Sequence, residues 1–430
     1  MYVIDNFKLS SKKFLDDRQY WESLTALKEN STILMPKGFL VYCKAEDKWY
    51  KMSCTDESNP STYTWTESIN SNRKFKPNLL TYIWTQNTVN ENGLRTVSIE
   101  TNKLDVWLKQ IKESGIDGIE ICQHIAFNES TRELYYMTNL ETIDYTINKC
   151  KKLGLKTPLI KVHQKFNLDQ VKFLFGNTKT KEENMYDIEA QTISIAQFKE
   201  NYKTMIKQMC ERYKDDIEYM PCFNESQHYW DREILPKTQD TSATDNTQIP
   251  DPLYEADFPA FVVELINMIQ SYGIKSGVST AGIKDLNARN ISIWAAFDSV
   301  DKRILDACEC FFTNLYPPVS SKGSETTHED CISGIKSNLI WSKIKQIQRN
   351  YGKELFITET GCMDLWDSLY SPGNWAWTGT TQNGNVQAMY LDALLEVFSN
   401  AKNIKNIAWW YTDCFTDNYK QMQPIVSKYL

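Results

Sequence analysis

From about residue 78 onward the chain keeps one rhythm: a short apolar, β-rich run followed by an amphipathic helical stretch, eight times over. The runs are Leu79–Trp84, Gly118–Cys122, Pro158–Val162, Ile217–Phe223, Ser276–Ser279, Cys310–Leu315, Glu354–Thr358 and Ile404–Trp410. The helical stretches between them are expected at Lys103–Ser114, Leu140–Leu153, Ile195–Tyr213, Phe258–Tyr272, Asp298–Ala307, Asn338–Tyr351 and Val386–Ala401, with a last short helix toward Leu430. Strands alternating with helices bury both faces of a parallel sheet. Eight such units favour closure into a (β/α)8 (TIM) barrel over an open doubly wound sheet. The open form usually carries a Gly-rich phosphate turn after its first strand, and Thr85-Gln-Asn-Thr-Val has none.

Residues 1 to about 75 do not follow this rhythm. A helical stretch (Leu15–Lys28) precedes two apolar runs, Gly38-Phe-Leu-Val-Tyr-Cys and Lys48-Trp-Tyr-Lys-Met, joined by a charged turn. That pattern reads as a β-hairpin. Thr55–Thr62 and Asn70–Pro77 read as loop and linker. The expected organisation is therefore a small α+β module over residues 1–75 and a barrel over residues 76–430, which a length of 430 accommodates.

Composition narrows the function classes. A net charge of −7 argues against a broad basic footprint, and so against nucleic acid or anionic membrane surfaces as partners. No run approaches the roughly 20 apolar residues of a membrane span. The opening Met1-Tyr-Val-Ile-Asp-Asn lacks the regions of a secretory signal, so synthesis in a cytoplasm is expected. The 11 cysteines are scattered, only Cys308-Glu-Cys310 being close-spaced, and no CxxC suggests a metal site. Reduced, buried thiols are expected, with no metal and no cofactor.

The residues that carry chemistry stand at strand ends. Asn224-Glu225 directly follows the fourth run, and Glu359 closes Ile357-Thr-Glu-Thr-Gly361 on the seventh. Both carboxylates then face the C-terminal rim, where barrel enzymes build their sites. The two longest insertions, about Lys165–Ile193 and Ser226–Ala256, lie on the same rim. A carboxylate pair is what glycosidic bond cleavage needs: one acid protonates the leaving oxygen while the other carboxylate attacks carbon or activates water.

Asn-Glu ending strand four with a Glu ending strand seven resembles the signature of clan A glycoside hydrolases, which are retaining (β/α)8 enzymes. The resemblance implies Glu225 as acid/base, Glu359 as nucleophile and Asn224 as ligand of the sugar 2-hydroxyl. It further implies Tyr316 as a hydrogen-bond partner of the nucleophile and Trp409 or Trp410 as the floor under the sugar. Gly115-Ile-Asp-Gly-Ile-Glu-Ile and Gly154-Leu-Lys-Thr-Pro-Leu-Ile-Lys-Val-His163 look most like the endo-mannanase-like families, where a basic or His residue ends strand three. Two departures stand out: Ser226 replaces the usual Pro after Asn-Glu, and no Arg is evident near the end of strand two.

Other residues keep two readings. His163 is a substrate ligand or a hydrogen-bonded rim residue, and Trp84 a subsite or a core residue. His228 and Trp230 line the cleft or pack their loop, as do Trp366, Trp375 and Trp377 after strand seven. Asp364 and Asp413 read as ordinary polar rim residues. The N-terminal module, through Leu15-Asp-Asp-Arg18, Gly38-Phe-Leu-Val-Tyr and Lys48-Trp-Tyr, is similar to small modules that begin bacteriophage tail proteins. That resemblance implies other tail proteins as partners, a virion location, and a depolymerase acting on β-linked bacterial surface glycan. The competing reading is a non-catalytic glycan-binding or structural tail protein on a barrel scaffold.

Overall fold

A computed structural model of the chain describes residues 20–29, 32–37, 39–45, 48–67, 74–83, 87–89, 94–97, 100–128, 131, 133–164, 195–224, 258–281, 302–320, 322–337, 351–373, 377–399, 401 and 404–430. It divides into two compact units, Met1–Arg73 and Lys74–Leu430. Glu225, Trp84, His228, Trp230, Trp375 and nearly all of the helix expected at Asn338–Tyr351 lie outside the described residues.

The smaller unit is a four-stranded sheet in the order β1 (Tyr20–Trp21), β2 (Leu40–Cys43), β3 (Lys48–Ser53), β4 (Thr64–Glu67). β1 runs parallel to β2, and the rest is antiparallel. β2 and β3 form the hairpin that their apolar runs predict. β4 was not foreseen, because Thr64-Trp-Thr-Glu sits in a polar stretch with a single large apolar residue. Alternation puts Val41 and Cys43 of β2, with Tyr50 and Met52 of β3, into a core shared with Leu27 and Met35. The helix Leu24–Lys28 is capped by Ser23, whose hydroxyl accepts from the Ala26 N–H at 3.1 Å.

In the larger unit β5 (Asn78–Tyr82), β8 (Gly118–Asn128), β10 (Lys156–Gln164), β11 (Ser279–Ala281), β12 (Cys310–Asn314), β13 (Glu354–Thr360) and β14 (Ile404–Trp409) form a parallel sheet. Its order is β10-β8-β5-β14-β13-β12-β11. The eighth expected strand, Ile217–Phe223, appears only as isolated parallel bridges of Tyr219 to Leu159 of β10 and to Lys275, four residues before β11. The sheet as described is thus an open path with that segment between its two edge strands. β6 (Asn87–Val89) and β7 (Arg95–Val97) make a separate hairpin. β8 runs six residues beyond the expected Cys122 and pairs antiparallel with β9 (Glu133–Tyr136).

The helices form where apolar residues recur at helical spacing. Leu104, Leu108 and Ile111 bury one stripe of Thr101–Ser114, and Ile143, Ile147 and Cys150 one stripe of Leu140–Leu153. Gly154, at φ 68°, ends the second helix in the left-handed conformation and turns the chain into β10. The helix His328–Ile335, closed by a Thr327/Asp330 capping box, was not expected, since only Cys331 and Ile335 of it are buried. Among the described residues no helix is long and apolar enough to cross a membrane.

Each strand sends alternate residues to opposite faces. Leu79, Ile119, Ile121, Ile160, Val162, Phe311, Leu355, Ile357, Ile407 and Trp409 pack with the helices into the main core. The other face carries two smaller apolar clusters: Leu159, Tyr219, Cys310, Phe312 and Phe356 in one, and Leu80, Tyr82 and Ala408 in the other. The polar residues of interest lie on this second face.

Candidate active site

Glu359 reaches that face through an irregularity in the sheet. Strict alternation would give it the side of Leu355 and Ile357, which pack with the helices. Between β12 and β13 the register slips by one residue: Thr313 pairs with Ile357, and the next residue, Asn314, with Glu359. Two residues of β13 therefore oppose one of β12, a bulge that turns Thr358 and Glu359 to the same side.

The Glu359 carboxylate is held at both oxygens. Lys161 Nζ lies 2.5 Å from Oε1, and the Tyr316 hydroxyl donates to Oε2 at 2.9 Å. Lys161 is fully buried, and Glu359 nearly so. Lys161 also donates to Asn314 Oδ1 at 3.0 Å, and its ammonium sits 5.5 Å from the centre of the Tyr82 ring. Asn314 accepts from the Thr358 hydroxyl at 3.0 Å and donates its Nδ2 to Asn224 Oδ1 at 3.2 Å. A polar chain thus runs from Glu359 through Lys161 and Asn314 to the residue preceding Glu225. Buried charges are retained in proteins when they are paired and hydrogen-bonded, and this pair is both.

A second carboxyl lies in the same neighbourhood. Glu120 is fully buried on β8, and neither of its oxygens has a hydrogen-bond partner of proper geometry. Burial pushes its pKa up to about 8; Lys161 and the nearby Tyr82 hydroxyl pull it down, and Glu359 pushes it further up. Near neutral pH Glu120 holds its proton, which leaves the Lys161 charge to Glu359. Tyr82 is fully buried too, and burial raises its phenol well above the ordinary range. Trp410 stands edge-on to Tyr82, with ring centres 4.6 Å apart at 68°.

Trp409 and Trp410 part company here. Trp409 is fully buried in the helix-side core, edge-on to Tyr390 and Phe415. Gly361, at φ 115°, makes room for it, since a Cβ there would meet the indole at 2.8 Å. Trp410 packs with the Tyr82 cluster on the opposite face, and of the two it is the one on the side of Glu359. Asp364 is a structural residue: its carboxylate accepts from the N–H groups of Gln382, Gly384 and Val386 and so fixes the start of the helix Asn385–Phe398. Burial raises the pKa of Asp413, which takes hydrogen bonds from Gln387. Trp377 donates to the Ser371 carbonyl and Trp366 packs on the core, so both pin the loop after β13.

Sequence reasoning missed Lys161, Glu120, Asn314 and Tyr82. The available signal was a charged residue in the middle of an otherwise apolar β-run, as in Gly118-Ile-Glu-Ile and Leu159-Ile-Lys-Val. It also missed a group of soft donors. His124 and His163 are register partners on β8 and β10, and Cys122 lies two residues before His124 on the same face. One donor atom from each of the three lies within 4.8 Å of the others. This is the group of described residues able to hold a metal ion.

Residues 312–424, which contain Tyr316, Glu359 and Trp410, match the model of Glycoside Hydrolase Family 113. With Glu359 and its partner Tyr316 inside the match, the protein is a glycoside hydrolase. Among solved structures it resembles a GH113 β-1,4-mannanase complex at 15% identity, covering 82% of this chain and 99% of that one, with a TM-score of 0.51. It also resembles the GH113 β-mannanase of Alicyclobacillus acidocaldarius in complex with ManMIm, at 12% identity, 83% and 98% coverage and a TM-score of 0.52. At such identities these likenesses establish the fold alone. No curated protein matches the chain in sequence.

Proposed function

We propose that the protein is a retaining glycoside hydrolase that cleaves a β-1,4-linked mannan-type polysaccharide by double displacement, on a closed (β/α)8 barrel. The observation that carries this reading is Glu359, a buried carboxylate at the end of a parallel strand inside the matched segment, gripped by Tyr316 of that segment and by Lys161 from β10. Closure is supported by the bridges of Tyr219 to Leu159 of the edge strand β10 and to Lys275, which leads into the other edge strand. The mannan assignment is supported by the two mannanases that share the fold.

In this reading Glu359 attacks the anomeric carbon while Glu225 protonates the leaving oxygen. Glu225 then takes a proton from the water that releases the sugar. Lys161 holds one oxygen of Glu359, and the Tyr316 hydroxyl fixes the other so that the attacking one is aimed. Asn224 binds the 2-hydroxyl of the sugar, and Trp410 gives it an apolar floor beside Tyr82. The N-terminal unit, with its own sheet and core, is an attachment module, and the enzyme a depolymerase carried on a phage tail.

The test is release of reducing ends from a panel of β-linked polysaccharides, mannans included. Glu359→Gln abolishes turnover and retains glycan binding. Glu225→Gln keeps turnover of activated aryl glycosides and is rescued by azide, which takes the place of water. Binding without reducing ends from any glycan by the unaltered protein means a glycan-binding protein instead.

A further inference from the structure

We propose that Cys122, His124 and His163 form a binding site for a zinc-type divalent ion, with an open coordination position toward the cleft. Three features carry this. The donors come from two adjacent strands in fixed register, so the site is held by the sheet rather than by a loop: His163 pairs with His124, and Lys161 with Cys122. The distances suit the ion. Cys122 Sγ stands 3.6 Å from His124 Nε2. Bond lengths of about 2.3 Å to sulfur and about 2.0–2.1 Å to nitrogen, at a tetrahedral angle, set these atoms roughly 3.5 Å apart. The two imidazoles lie side by side, with ring centres 5.1 Å apart. All three donors fall within 4.8 Å of one another, so a small rotation of His163 completes a trigonal set.

The donor chemistry selects the ion. One thiolate and two imidazoles favour zinc and its neighbours over calcium or magnesium, which prefer oxygen. Three protein ligands leave a fourth position for water or a sugar hydroxyl. Cys122 and His163 are partly exposed while His124 is buried, so the open side is that of the first two. On binding, Cys122 enters as thiolate and its proton goes to solvent, so affinity rises with pH. Lys161, the register partner of Cys122, also holds Glu359, so a bound ion sits beside the catalytic carboxylate's support.

The experiment is a calorimetric titration of the chelator-stripped full-length protein with Zn2+, repeated with Co2+ as a spectroscopic probe. The expected result is one equivalent bound, with a near-ultraviolet sulfur-to-cobalt band. Cys122→Ser and His163→Gln each weaken binding more than about tenfold, as ligand loss must exceed the effect of losing an outer partner. Cys54→Ser, at the other partly exposed cysteine and in the other unit, leaves binding unchanged. Metal-free melting curves of the two ligand variants separate loss of a ligand from loss of fold, and the two variants lie on different strands. No saturable binding by the unaltered protein, or binding kept by both folded variants, overturns the proposal. The titration reads metal and not turnover, so the site stands or falls apart from the hydrolase reading.

Discussion

Replacing Lys161 by Met keeps the length of the side chain and removes its charge. At 2.5 Å the Lys161–Glu359 attraction is about 7 kcal/mol with an effective dielectric constant of about 20. Most of that offsets the cost of burying both ions. What the variant loses is compensation for the charge left behind, about 3–5 kcal/mol. A domain stable by about 5–15 kcal/mol survives such a loss. Glu359→Gln costs less, because an amide oxygen still accepts from Lys161. In the double variant neither charge is stranded, so it is more stable than the sum of the single losses predicts by at least about 1.5 kcal/mol. Urea titrations of the four full-length proteins, followed through the transition of the larger unit, measure that coupling. Losses that add to within about 0.5 kcal/mol mean that Lys161 and Glu359 do not act as a pair, and the site as described is then wrong.

Three further outcomes are expected. Glu120 has an ordinary value of 4.5 and a folded value of about 8, so its contribution to stability is full below 4.5 and is lost as pH rises to about 8. That loss runs at about 1.4 kcal/mol per pH unit; Glu120→Gln should flatten the slope in melts run with chelator, and an unchanged slope refutes a protonated Glu120. A crystal structure should place the carboxyl groups of Glu225 and Glu359 about 5–5.5 Å apart, whereas about 6.5–9.5 Å marks an inverting enzyme. A chain beginning at Lys74 should fold and keep its hydrolytic activity, since the larger unit has its own core; aggregation of that chain counts against an independent N-terminal module.

What the sequence disclosed follows from periodicity. The helices Leu140–Leu153 and Ile195–Tyr213 were read to the residue because an apolar stripe and a clear stop mark them. Seven strands were placed within a few residues, although β8 ran on past Cys122, since the polar Gln123 and His124 end the apolar run in sequence and are buried in the structure. At the site, position along a strand was legible and direction was not. Trp409 and Trp410 are adjacent letters on opposite faces. Lys161 is a charge that only the assembled sheet brings to Glu359, from 198 positions away. Cys122, His124 and His163 escaped a search for close cysteines because their proximity arises from strand register.

The slip between β12 and β13 ties the chemistry to a single residue count. Add one residue to β12 between Thr313 and Asn314 and the two strands oppose each other one for one, so the bulge is lost and strict alternation returns. Glu359 then turns into the helix layer, away from Lys161 and Tyr316. Such an insertion takes the carboxylate out of the site through geometry, although every residue type of the site is still present. Within a lineage, length variation at this point would separate chains that hydrolyse from chains that only bind, even where a comparison of residue types alone finds no difference.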